Sequence, residues 1–101
     1  MMSPGDPIIA YLRDPRERVW GVLRALDPAG VTIEGCALEG VDSWLRAAAG
    51  GADARRDLSV LFFPMGRVER LLLDRGTPAS PSPSEQFTAA SGLSLAAYLE
   101  A

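Results

Sequence analysis

The sequence predicts a mainly β protein with minor α content: a small, strongly bent five-stranded barrel, a short helix inserted between strands and a C-terminal helical segment. Three observations carry this. Short apolar runs are each turned back by Pro or Gly, the spacing of a small all-β unit. The apolar period changes from strand-like to helical at Val41. A helix-start signature stands at Ser82–Glu85, after a Pro- and Ser-rich stretch.

Taken in order, residues 1–7 read as a flexible leader with two Pro and one Gly. Ile8–Leu12 is the first strand, and Asp14-Pro15-Arg16-Glu17 turns it back. Arg18–Leu26 is the second strand. Its faces are Val19, Gly21, Leu23, Ala25 and Trp20, Val22, Arg24, Leu26; both are largely apolar, so both should be covered. Gly21 inside it predicts a bend or bulge. After the turn Asp27-Pro28-Ala29-Gly30, Val31–Leu38 alternates strictly, with one dry face and one wet.

Val41, Trp44, Leu45 and Ala48 then fall on one helical stripe, ended by Gly50-Gly51, so a helix is expected over about 41–49. Residues 50–57 form a polar loop. Leu58–Phe63 is a strong strand, interrupted by Pro64-Met65-Gly66. Arg67–Asp74 is the last strand, with Val68, Leu71 and Leu73 as core positions and a bulge near Glu69-Arg70. Residues 76–83 read as a Pro/Ser-rich linker. Ser82 as N-cap, Pro83 at N1 and Glu85 at N3 then start a helix that Gly92 ends. Phe87, Leu93, Leu95 and Leu99 are its expected contacts with the barrel or with a neighbouring chain.

The 101 residues suit one domain. A net charge of -3 argues against general attraction to nucleic acid or to anionic lipid. The ten basic residues are all Arg, and His, Lys and Asn are absent, as in the product of a GC-rich genome. The lone Cys36 fits a reducing cytosol. The start carries no signal-peptide pattern, and no apolar run is long enough to span a membrane. A cytoplasmic protein without a membrane partner is expected.

The same composition bears on chemistry. Without His and with one Cys, Cys/His pairs, Ser-His-Asp triads and the usual zinc sites are excluded. The acids Asp14, Asp27, Asp42, Asp57 and Asp74 read as solvated turn formers. No glycine-rich phosphate cradle occurs. No catalytic residue, metal or cofactor is therefore expected. Cys36 reads as a small, inert strand residue.

Trp20, Trp44, Phe62, Phe63 and Phe87 are the candidate interface residues, with core packing the alternative for each tryptophan. Phe62 and Phe63 are consecutive, so they point to opposite faces of a strand.

Two segments carry a family resemblance. VWGVLRALDPAGVTI resembles the first motif of the Sm-like (LSm/Hfq-like) small β-barrel proteins, with Gly21 and Asp27 in matching places and Gly30 where the family prefers Asn. LFFPMGRVERLLLD resembles the second motif, with Val68 and Leu71 at its apolar positions. The resemblance covers residues 8 to 74 and implies an SH3/Sm-like barrel over 8–75. It implies RNA contact at the two motif turns, which puts Arg67, Arg70, Asp27 and Gly30 forward as candidate RNA or ligand contacts. Those turns hold Ala29-Gly30 and Pro64-Met65-Gly66 in place of the family's polar and basic residues. The seven-residue leader also has no room for the family's N-terminal helix.

Two functions follow. One is a non-enzymatic assembly module that forms a homo-oligomer and docks another protein; open barrel edges and excess apolar surface motivate it. The other is an RNA-binding protein using the arginines near the second motif.

Overall fold

The computed structural model describes residues 2–51, 53–77 and 79–100. Met1 of the leader, Ala52 of the polar loop, Pro78 of the linker and Ala101 of the tail lie outside the described residues. The strands are β1 (Pro7–Leu12), β2 (Glu17–Asp27), β3 (Gly30–Ala37), β4 (Ser59–Pro64) and β5 (Val68–Leu73). They form one antiparallel sheet in the order β4-β3-β2-β1-β5. The helices are α1 (Val41–Ala49), α2 (Pro83–Ser91) and α3 (Leu95–Glu100).

Where the sequence predicts a small, strongly bent five-stranded barrel, the structure has a five-stranded antiparallel sheet that is open. β4 and β5 are its edges, and no ladder joins them among the described residues. They are linked by a single 3-10 turn, Met65–Arg67, which runs from the Gly30 end of β3 to the Leu12 end of β1. That turn crosses one end of the sheet and leaves the two strands on opposite margins.

The sheet bends at irregularities in its ladders. β2 shifts register against β3 between Leu23 and Ala25, so the bulge falls at Arg24 and not at Gly21. Gly21 keeps regular pairing and faces Gly35. A Cβ on Gly21 would run into the Glu34 carbonyl, and one on Gly35 into the Trp20 carbonyl. The two glycines thus allow a close backbone approach. In β5, Tyr11 pairs with Arg70 and Leu12 with Val68, which leaves Glu69 unpaired, the bulge the sequence spacing predicts.

Because side chains alternate across a strand, β2 supplies two cores. Val19 and Leu23 face inward with Ile8, Ala10, Leu12, Val31 and Ile33, and Leu61, Phe63, Leu71 and Leu73 close this side. Trp20 and Val22 face outward under the helices, with Trp44, Phe87 and Leu95. Trp20 is fully buried. Side chains buried to this degree contribute about 1.5–3 kcal/mol each.

Backbone hydrogen bonds and a helix cap hold the segments that flank the sheet. In the leader, Gly5 N–H donates to the Leu23 carbonyl at 2.7 Å, and Leu23 N–H donates to that of Asp6 at 2.9 Å. In the linker, Thr77 and Ser80 exchange backbone hydrogen bonds at 3.0 Å. The capping box is complete: Glu85 Oε1 accepts from Ser82 N–H at 2.9 Å, and Ser82 Oγ accepts from Glu85 N–H at 3.4 Å. Gly92, at φ 78°, ends α2.

Asp74 overturns its reading as a solvated turn acid: it is 4% exposed. Its side chain accepts from Trp20 and from the first turn of α2, so burial is compensated by hydrogen bonds.

Candidate interaction surface

The helices cover the middle of the outer face and stop short of its margins. On β4, the outward residues Val60 and Phe62 are 69% and 56% exposed. On β5, the outward Leu72 is 42% exposed. Met65, on the turn between them, is also exposed. The inward residues of the same edges, Leu61, Phe63, Leu71 and Leu73, pack against the inner core. Each edge strand has six residues and is apolar on both faces, at least in part. β4 reads SVLFFP and carries no charge. An unpaired strand edge exposes backbone donors and acceptors, and natural proteins usually blunt it with charge or proline. Here Pro64 stands only at the end of β4.

Of the candidate interface residues, Trp20, Trp44 and Phe87 are consumed inside the chain. Their rings form a stack with Tyr98: Trp20–Trp44 and Trp44–Phe87 centroids are both 5.5 Å apart, and Phe87–Tyr98 centroids 5.0 Å. Phe63 is half-buried under Arg67, whose guanidinium lies 5.7 Å from the ring centroid. Phe62 alone of the five is exposed. Val60 and Leu72 were missed. Their signal lay in the period of two of the strands: a strand apolar on both faces, standing at an edge, must show one face.

The candidate RNA or ligand contacts are not gathered into one site. Asp27 Oδ1 accepts from Ala29 N–H at 2.8 Å and shapes the β2–β3 turn. Gly30 is buried beneath Phe62 and Phe63, where a Cβ would meet the Phe63 carbonyl and the Phe62 ring. Arg67 is turned inward: it donates to Glu17 Oε2 at 2.7 Å, to the Pro15 carbonyl at 2.8 Å and to the Arg13 carbonyl at 3.1 Å. It therefore holds the β1–β2 turn against the β4–β5 turn. Arg70 lies elsewhere, 4.4 Å over the Tyr11 ring on the outer face. There it lines a recess of about 460 Å³ with Arg16, Arg18, Glu17, Glu39 and Glu69, a mixed-charge lining.

Beside β4 lies an ion pair that reaches two elements. Arg24, at the β2 bulge, donates to Glu34 at 2.6 Å and 2.9 Å and to Glu100 of α3 at 3.0 Å. The Glu34 hydrogen bonds raise its pKa against the opposing effect of burial. Cys36 sits half-buried under α1, and burial pushes its thiol pKa up. A thiol so placed is a poor nucleophile. The described residues contain no group of three or more His, Cys, Asp and Glu that could hold a metal ion. No helix among them is long and apolar enough to cross a membrane.

The fold and this surface define a small, mainly β domain with an open five-stranded sheet that exposes apolar side chains along both edges. No family model matches the chain, and no curated protein or solved structure shows significant similarity to it.

Proposed function

We propose that this chain is a non-enzymatic, Sm-like assembly module that self-associates by placing β4 of one copy beside β5 of the next. The observation that carries the reading is the uncharged β4 edge with Val60 and Phe62 exposed upon it. The β5 edge offers a strand of equal length with Leu72 on the same outer face. Pairing them would extend both faces of the sheet, with Leu61 and Phe63 continuing the inner layer. Supporting the barrel-like half of the reading are the bulges at Arg24 and Glu69, the Gly21–Gly35 approach and the single-turn β4–β5 connection. A head-to-tail contact of this kind closes into a ring when its rotation permits, and otherwise propagates.

The RNA-binding reading rests on Arg67 and Arg70. It would require Arg67 to leave Glu17 and two carbonyls, and Arg70 to leave Tyr11. The assembly reading requires no rearrangement, and for that reason it is preferred.

Light scattering coupled to size exclusion tests it from micromolar to near-millimolar concentration. The wild type is expected to form an oligomer. Phe62→Lys and Leu72→Lys, both at exposed positions, should each cut the assembly back to monomers. Mixed together they should give a 1:1 dimer, because one retains β5 and the other β4. If Leu72→Lys still dimerises alone, β4 pairs with β4 and the head-to-tail geometry is wrong. A wild type that stays monomeric throughout defeats the proposal.

A further inference from the structure

The peptide of Ala54 is gripped from both sides. Its carbonyl accepts the Trp44 indole N–H from α1 at 2.7 Å, and its N–H donates to the Tyr98 hydroxyl of α3 at 3.1 Å. Ala54 is 1% exposed and begins the 3-10 turn Ala54–Asp57, which leads into β4 at Ser59. At the other end of β4, the turn is held by Met65 N–H on the Ala29 carbonyl at 2.9 Å. The entry to the edge strand is therefore anchored to two helices and its exit to the sheet. α3 is itself fixed by the buried Leu95, by the Tyr98 ring against Trp44 and Phe87, and by Glu100 on Arg24.

We infer that α3 is a strut that sets the position of the β4 edge, so that docking of the C-terminal tail gates self-association. This rests on the assembly reading above. Tyr98 is a positioning residue: it acts on β4 through the Ala54 peptide and does not itself reach the edge. The strut works only while the tail lies on the sheet, and its loss leaves β4 hydrogen-bonded to β3 with a free entrance. Coupling of this sort is reciprocal, so pairing at β4 must in turn strengthen the docking of α3.

Tyr98→Phe removes the hydroxyl and keeps the ring. The expected result is association about fivefold weaker, the share one hydrogen bond can contribute. Faster hydrogen exchange should accompany it at the β4 amides bonded to β3, with unchanged exchange in β1. Leu93→Ala, at an exposed tail position without these contacts, should leave both readouts as in the wild type. Concentrating the wild type should slow exchange at the Ala54 amide. If the wild type assembles and Tyr98→Phe assembles equally well, with the same β4 exchange, the strut is refuted and the assembly reading stands. If the wild type does not assemble, both fall together.

Discussion

The Trp20 indole donates to Asp74 Oδ2 at 3.0 Å across a sequence separation of 54 residues, and both are buried. The same oxygen accepts Ser84 N–H at 2.8 Å in the first turn of α2. The Asp74 carbonyl accepts from the hydroxyls of Ser82 and Ser84 at 3.3 Å and 3.2 Å. One residue at the end of β5 thus joins the middle of the sheet to the helical cap.

Asp74→Ala should destabilise the fold by roughly 3 kcal/mol, because it leaves two buried donors without partners. Asp74→Asn keeps an acceptor and should cost less. Urea denaturation followed by tryptophan fluorescence measures both. Equal stability of Asp74→Ala and wild type would mean that water reaches these donors.

Trp44→Ala should cost about 3–5 kcal/mol, the range for truncating a buried tryptophan. Trp44 is 4% exposed and touches Trp20, Phe87 and Tyr98. A loss below about 1 kcal/mol would contradict its place in the core.

Acid should weaken the α2 cap. The Ser82 backbone N–H, with that of Gly76, holds the Glu85 carboxyl below the ordinary glutamate value. A folded-state value below the unfolded one gives stability that is full above about pH 4.3 and is lost as the pH falls through the folded value. The melting temperature of the wild type should therefore drop more steeply below that pH than that of Glu85→Gln. Parallel curves for the two proteins would remove Glu85 from the account.

Cys36 should react slowly. Burial raises its pKa, so little thiolate is present near pH 8. A colorimetric thiol reagent should modify it well below the rate of a free cysteine, and urea should restore the ordinary rate. A fast reaction in the native protein would place the thiol at the surface.

Much of this fold is legible locally. The period change at Val41, the capping box at Ser82 and Glu85 and the bulge at Glu69 each depend on neighbours within a few residues, and each is present. What escaped depends on partners far along the chain. Asp74 looks like any turn acid until Trp20 and Ser84 meet it. Arg67 looks like a free cation until Glu17, a sequence separation of 50 away, closes on it. Strand spacing likewise cannot say whether a bent sheet closes. That depends on how the Met65–Arg67 turn carries the chain across its end. The candidate interaction surface was half legible: Phe62 is apparent from the sequence, while Val60 and Leu72 needed the strand order to show that β4 and β5 are edges.

The sheet's outer core is assembled from both halves of the polypeptide, and this sets a timetable for synthesis. Trp20 is made early, whereas Phe87 and Leu95, which help to cover it, come 67 and 75 residues later. At cellular elongation rates that delay is roughly 3 to 15 s. The last strand is finished at Leu73, so over the final 14 to 22 residues of that delay the complete sheet carries an oily upper surface and two ragged margins at once. Translation on crowded polysomes would bring such half-covered chains close together with that face bare, before the tail that sets the β4 edge has docked.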